Sequence, residues 1–140
     1  AQGYKNFDAQ KQQEVFEKRP KMLQSLGAHG MAQSRGPHLV AQANAEVLAL
    51  IEQVMHEISL TGFTQASYLL AYDAIQSYLT PKQAHTHIVM GMSDGITPAQ
   101  EIQKLADTYQ LKHCYCIEQA GHLSYLDQPQ QFNQILLSLR

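Results

Sequence analysis

Residues 85–100 read HTHIVMGMSDGITPAQ, and residues 113–129 read HCYCIEQAGHLSYLDQP. Each stretch begins with a short run that contains β-branched or aromatic residues and then enters a glycine-containing loop, which is typical of a strand that ends at a turn. We therefore expect strands over residues 85–90 and 113–118 and a loop over 119–127. The sequence Thr97-Pro98-Ala99-Gln100 is typical of a helix start, with Thr97 as the cap. Pro129 opens a last helix, so the order predicts a right-handed βαβ unit and a covering helix.

The chain before Pro81 has a helical pattern instead. Its apolar residues recur at spacings of three and four, and Gly and Pro residues interrupt them. We expect four helices, over residues 8–18, 20–34, 39–58 and 63–79, with Pro20 in the first turn of the second. The sequence thus predicts an α/β chain with a helical region over 1–80 and a βαβα region over 81–140.

Composition excludes several classes of function. The 140 residues carry a formal net charge of −2, which gives no electrostatic footprint for nucleic acid and no basic patch for a membrane surface. No apolar run approaches the roughly 18 residues of a membrane span. Cys114 and Cys116 have only one residue between them and cannot cross-link distant loops, so we expect a reducing, cytoplasmic location.

Two parallel strands cannot form a stable sheet by themselves. They leave both edges unpaired, and parallel sheets are stable only when both faces are covered. The helical region supplies no further strands. We therefore expect the sheet to be completed by an N-terminal half that this sequence lacks or by self-association. The first residue, Ala1, is not Met, which favours a piece of a longer chain.

Two polar residues follow the predicted strands. Ligands of a parallel sheet bind beyond the carboxyl ends of its strands. Asp94 follows the first strand and His122 follows the second, so both side chains reach the same edge if the strands are neighbours. An Asp that accepts a hydrogen bond from one imidazole nitrogen fixes the tautomer of the ring. The other nitrogen can then act as a general base on a nucleophile.

Residues 88–139 resemble the C-terminal end of an α/β-hydrolase. The pattern G-x-x-D-x-x-x-P at 91–98 looks like the loop that bears the triad acid of this family, and G-H-x-x-x-x-[DE]-x-P at 121–129 looks like the loop that bears its triad histidine. The resemblance implies that Asp94 is the acid and His122 the histidine. The helices of about 8–80 resemble the cap of lactonase-like and haloperoxidase-like branches, and AGHLSYLDQP resembles carbon–carbon and enol-lactone hydrolases.

The resemblance also implies a function. It implies serine-type hydrolysis of an ester, a lactone or an activated C–C bond, on a small apolar or aromatic-derived substrate that the cap selects. It implies no metal and no organic cofactor. Met55, Tyr68 and Tyr72 are candidate substrate-binding residues under the cap, although ordinary helix packing explains each equally well. The half of the family that bears the nucleophile is absent here, so we expect the 140 residues alone to be inactive.

Residues 91–95 also spell G-x-S-x-G, the pattern of a nucleophile elbow, with Ser93 at its centre. In such an elbow the helix begins directly after the serine. Here the capping box places the helix start four residues later. The triad order would also need an acid loop before His122, where Asp107 is the only aspartate outside the elbow and lies inside a predicted helix. We therefore do not expect Ser93 to be the nucleophile.

Other interpretations remain open. The His85-x-His87 and His113-Cys114-x-Cys116 spacings are shorter than those of structural zinc sites, so we expect the cysteines to pack as buried strand residues rather than to bind metal. Ser124 and Tyr125 are expected to cap or pack, and Asp127 to cap the last helix. The alternative to a hydrolase is a non-catalytic helical module that self-associates through its strand edges. A small metal-binding protein is the third possibility.

Overall fold

The computed structural model describes residues 3–81 and 85–139, which fall into two compact units. The helical unit comprises the described residues up to Gly36 together with Leu48–Tyr78. The sheet unit comprises Pro37–Val47 together with the described residues from Leu79 onward. Residues 1–2, 82–84 and 140, which the predicted regions include, lie outside the described residues. Unlike the predicted helical region over 1–80, the helical unit does not include residues 37–47.

The described residues form eight helices and strands. In chain order these are α1 (Ala9–Arg35), α2 (Ala45–His56), α3 (Leu60–Tyr72), β1 (His87–Gly91), α4 (Ala99–Tyr109), β2 (His113–Ile117), α5 (Ser124–Asp127) and α6 (Pro129–Ser138). Short 3-10 turns occupy Gly36–His38 and Ile75–Ser77. No helix within the described ranges is long and apolar enough to cross a membrane.

Helix α1 replaces the first two predicted helices. The predicted boundary at Pro20 is wrong, because Pro20 lies buried inside α1. A proline removes one backbone donor, but its fixed φ is compatible with a helix. The interruption lies instead at Gly27, whose φ of 66° and ψ of −178° are non-helical and are accessible mainly to glycine. Two helical segments therefore meet at a kink at Gly27, and α1 packs against α3.

The predicted bounds of α2 and α3 are also corrected. Helix α2 begins at Ala45 rather than at residue 39, because the Asn44 side chain accepts a hydrogen bond of 2.9 Å from the Val47 amide at the helix start. Ser59, which lies between the predicted helices 39–58 and 63–79, caps α3 by accepting from the Gly62 amide at 3.1 Å. Helix α3 ends at Tyr72 rather than at residue 79, because the backbone becomes extended at Asp73.

The sheet unit confirms the predicted βαβα order. Strands β1 and β2 are parallel neighbours, paired from His87 with His113 to Gly91 with Ile117. Helix α4 contacts β1, and α6 contacts β2. The side chain of Ile117 is fully buried, and Met90 and Ala106 are buried with it. The carboxyl ends of both strands therefore lie at the same edge, where the loops that carry Asp94 and His122 begin.

Candidate active site

Asp94 lies in the loop between β1 and α4. Its carboxylate accepts four hydrogen bonds, three from this loop and one from His122. The backbone amides of Ile96 and Thr97 donate to Oδ1 at 2.8 and 3.0 Å. The Thr97 hydroxyl donates to Oδ2 at 2.6 Å. Thr97 therefore does not cap α4 as predicted: the residue at the cap position is Pro98, which has no side-chain hydrogen bond to offer. The loop instead turns the threonine toward the acid.

His122 completes the arrangement. Its Nδ1 atom lies 2.9 Å from Asp94 Oδ2 and 3.1 Å from the Thr97 hydroxyl oxygen. An ionised carboxylate has no proton to give, so Nδ1 carries the proton and donates to Asp94. Among the described residues, nothing hydrogen-bonds to Nε2, whose lone pair is then available. The structure thus brings together the two residues that the sequence placed at the strand ends.

The electrostatics of the pair favour an ionised Asp94. Its side chain is only 8% exposed, against 29% for His122. Burial by itself would raise the pKa of Asp94. The hydrogen bonds from Thr97, His122 and the Ile96 amide outweigh burial and hold this pKa below its usual value. A carboxylate that stays ionised can orient the imidazole and stabilise its protonated form.

Close contact between backbones brings the two loops together. A Cβ atom added at Gly91 would lie 2.2 Å from the Gly121 carbonyl oxygen and 2.5 Å from that of Ala120, so only glycine fits at this strand end. The Ser93 amide donates to the Ala120 carbonyl at 2.8 Å. The loop that carries Asp94 (the acid loop) and the loop that carries His122 (the histidine loop) are therefore joined directly through their main chains.

Asp127 does not cap the last helix, contrary to the prediction. The cap position of α6 is Gln128, which makes no side-chain cap. The Oδ2 atom of Asp127 instead accepts hydrogen bonds from the amides of Gly121 and Ala41, at 2.7 and 2.9 Å. Sequence reasoning missed this role because Ala41 is 86 residues away. The only local signal is an acidic residue six positions after Gly121.

The serines near the pair do not form an elbow. Ser93 is exposed in a turn after β1, and α4 begins only at Ala99, so the strand does not pass directly into a helix there. Ser124 is the first residue of α5 and is 8% exposed. Tyr125 packs against Phe132 with ring centroids 5.8 Å apart. No described serine hydroxyl hydrogen-bonds to His122.

The candidate substrate-binding residues lie in the helical unit. Tyr68 and Tyr72 are neighbours on α3 with ring centroids 4.7 Å apart, and both contact the ring of Phe16 on α1. The Tyr72 hydroxyl donates to the Gln13 side chain at 2.9 Å. Met55 lies half-buried on α2. The structure thus pairs the two tyrosines, and the substrate role of all three residues stays a prediction.

His87, Cys114 and Cys116 lie on the two strands, whereas His85 lies in a turn before β1, which begins at His87 rather than at the predicted residue 85. The rings of His87 and His113, which are cross-strand partners, stack with centroids 4.4 Å apart. Cys116 is exposed and Cys114 is partly buried, so the prediction that both pack as buried residues is wrong. The described residues do not fully cover the face of β2 that carries them. Within the described ranges, no group of three or more His, Cys, Asp or Glu could hold a metal ion.

Comparison with known proteins shows which fold the chain has. No family model and no curated protein matches the sequence. Solved structures share its fold, and three of them are described below. An esterase from Thermogutta terrifontis, determined with malate bound, has a TM-score of 0.76 at 22% identity, over 94% of this chain and 50% of the esterase. The esterase EaEST from Exiguobacterium antarcticum has a TM-score of 0.74 at 18% identity, over 92% of this chain and 47% of EaEST.

The third structure identifies the fold. It is an α/β-hydrolase fold protein from Burkholderia ambifaria, with a TM-score of 0.61 at 22% identity, over 99% of this chain and 52% of that protein. The fold is that of part of an α/β-hydrolase. The chain spans about half the length of the solved structures that it matches. The predicted fold class, the C-terminal portion of an α/β-hydrolase, is confirmed.

Proposed function

We propose that this chain supplies the acid and the histidine of a serine-type hydrolase that cleaves an ester, a lactone or an activated C–C bond. One observation carries the proposal: Asp94 Oδ2 lies 2.9 Å from His122 Nδ1, at the carboxyl ends of two neighbouring strands. This arrangement leaves Nε2 as the basic nitrogen. The esterase neighbours support an ester as the first class of substrate to test.

In the proposed mechanism, His122 moves the proton. Its Nε2 atom takes the proton from a serine hydroxyl as the serine attacks the substrate carbonyl, and the same proton then goes to the leaving group. A water molecule activated by Nε2 releases the acyl group and regenerates the serine. Asp94 stabilises the imidazolium at each stage, and Thr97 with the two loop amides keeps Asp94 ionised.

The proposed nucleophile lies outside these 140 residues. Two observations support this: the chain spans about half of the hydrolases it resembles, and Ser93 is not at the start of a helix. We further propose that an N-terminal half beyond these residues, or a second copy of this chain, pairs the strand edges that β1 and β2 leave unpaired among the described residues. We further propose that the helical unit is the cap, that Met55, Tyr68 and Tyr72 contact an apolar or aromatic-derived substrate, and that the enzyme acts in the cytoplasm.

Hydrolysis of p-nitrophenyl butyrate tests this proposal. The 140-residue chain and the native polypeptide that contains it are assayed side by side, each also as His122→Ala and Ser93→Ala. The proposal predicts turnover only in the native polypeptide, a loss of about 10³-fold or more in His122→Ala, and little change in Ser93→Ala. Turnover by the 140-residue chain that Ser93→Ala abolishes would overturn it in favour of the elbow interpretation.

A second candidate function rests on the same strand edges. A two-stranded parallel sheet offers a row of unpaired backbone groups on each outer edge, which is a template for pairing with another chain. A non-catalytic module that self-associates in this way would form a monodisperse oligomer and would show no ester hydrolysis in any form of the protein. Sedimentation of the 140-residue chain, combined with the assay above, separates the two functions.

A further inference from the structure

The helical unit contains a second feature of chemical interest, a cavity of about 160 Å³ on the surface of α1. Its walls come from α1, from the segment before it and from α3. The lining residues are Tyr4, Lys11, Glu14, Val15, Lys18, Arg19, Arg35 and Leu70. All of them belong to the helical unit, so the cavity is complete within one compact unit.

The kink at Gly27 explains how Arg19 and Arg35 line one cavity. In a straight helix, sixteen residues would separate them by about 24 Å, since each residue rises about 1.5 Å. The non-helical backbone of Gly27 lies between them and turns the second helical segment away from the axis of the first. The two guanidinium groups are close enough that the charge of Arg35 acts on Arg19.

The cavity concentrates positive charge in an acidic chain. Four of the ten Lys and Arg residues line it, in a protein whose formal net charge is −2. Its one carboxylate, Glu14, is already paired with Lys11 at 3.0 Å. Within residues 3–81 and 85–139, Lys18, Arg19 and Arg35 form no ion pair with a carboxylate. Three cations therefore line the cavity without a described counter-ion.

The positive charge of Arg19 is destabilised within this cavity. Burial lowers the pKa of Arg19, and the neighbouring charge of Arg35 lowers it further, so the positive charge of Arg19 is disfavoured by its surroundings. An anion between the two guanidinium groups would relieve both effects. Guanidinium groups also present their N–H donors in a planar fork that matches the oxygen atoms of a carboxylate or a phosphate.

We propose that this cavity binds a small oxyanion, the carboxylate or phosphate group of a ligand, through Arg19 and Arg35, with Lys18 adding positive charge. Tyr4 lines the same cavity, and a tyrosine hydroxyl can donate to a bound oxygen. This site is independent of the proposed hydrolase function, because none of its residues is Asp94, His122 or a neighbour of either.

Isothermal titration of the full chain with inorganic phosphate and, separately, with succinate tests the site at low ionic strength. The variants are Arg19→Gln and Arg35→Gln. Lys112→Gln is the matched control, because it removes one positive charge from an exposed position in the sheet unit. We expect each arginine variant to weaken binding by about tenfold or more, since a hydrogen bond to a charged group is lost, and the control to stay within about twofold of the unchanged chain.

Each outcome decides the proposal. Binding of phosphate alone or of succinate alone supports the site and assigns it to phosphate or carboxylate ligands. Failure of the unchanged chain to bind either anion at millimolar concentration overturns it, as does equal binding by all variants. Arg19→Lys is the variant to use if Arg19→Gln does not fold: it keeps the charge but loses the planar fork, and binding weaker than that of the unchanged chain is expected.

Discussion

The carboxylate of Asp127 accepts a hydrogen bond of 2.7 Å from the backbone amide of Gly121, the residue directly before His122. The same oxygen accepts from the Ala41 amide at 2.9 Å. On the other side of the histidine, the Leu123 amide donates to the Leu39 carbonyl at 2.8 Å. The residues on both sides of His122 are thus tied to residues 39–41, directly or through Asp127, and the imidazole is held where Asp94 can reach it.

Replacing Asp127 with Ala is expected to loosen the histidine loop. The change leaves the amides of Gly121 and Ala41 without their acceptor, and a hydrogen bond to a charged group contributes about 1.5–3 kcal/mol. We expect the free energy of unfolding to fall by at least about 1.5–3 kcal/mol and the Gly121 amide to exchange faster with solvent, as measured by NMR. Glu118→Ala, at an exposed position with no described partner, is the control and should change stability by less than about 0.5 kcal/mol. An unchanged exchange rate of the Gly121 amide would refute the role of Asp127 in holding the histidine loop.

A methyl group at Gly91 is expected to force the acid and histidine loops apart. The added Cβ would meet backbone carbonyl oxygens of Gly121 and Ala120, which cannot rotate away as a side chain can. Overpacking of this kind costs about 1–3 kcal/mol, so we expect Gly91→Ala to unfold at lower urea concentration. Gly95→Ala is the matched control, because nothing lies within 4 Å of its Cβ position. Equal stability of the two variants would contradict the close contact described here.

Thr97 is expected to keep Asp94 ionised. Thr97→Val removes the hydroxyl that donates to Asp94 Oδ2 at 2.6 Å while it preserves the shape of the side chain. The pKa of Asp94 should therefore rise in Thr97→Val, as followed by carbon NMR of its carboxyl group. Thr97→Ser keeps the hydroxyl and should leave that pKa near its value in the unchanged chain. A Thr97→Val variant with an unshifted Asp94 pKa would show that the hydroxyl has no such role.

The stability of the sheet unit is expected to depend on pH through Asp94. Because the pKa of Asp94 is lower in the folded chain than its usual value, the unfolded chain binds more protons in the interval between the two. The stabilising contribution is therefore complete above the unfolded pKa of about 3.9 and is lost as pH falls through the folded value. Urea unfolding at a series of pH values should show a steeper acid loss for the unchanged chain than for Asp94→Asn. Parallel profiles would contradict this assignment.

The strand ends could be predicted from sequence because their signals are local. An apolar run followed by glycine marks the end of β1, and the order of elements then places Asp94 and His122 at one edge. The sequence pattern predicts the break in α1 at Pro20, whereas the structure has it at Gly27, because a proline fits a helix backbone and a glycine can leave it. Local pattern alone could not decide which of the two interrupts the helix.

The roles of Thr97 and Asp127 could not be predicted in the same way. Both residues occupy positions where a side chain typically caps the following helix, and both hydrogen-bond elsewhere. Thr97 turns to a carboxylate three residues before it, and Asp127 reaches an amide 86 residues away in the chain. The hydrogen-bond partner of each side chain depends on which groups the fold brings close to it, and spacing in the sequence does not contain that information.

A double-mutant cycle of Asp94→Asn and His122→Ala, measured as kcat for p-nitrophenyl butyrate in the native polypeptide, tests the central claim most directly. The claim is that Asp94 acts through His122. The two residues then form one catalytic unit, and the fold reductions in kcat of the single variants do not multiply in the double variant. We predict that His122→Ala lowers kcat by about 10³-fold or more and that adding Asp94→Asn to it changes kcat little further. Full activity of His122→Ala, or losses that multiply in the double variant, would contradict the account.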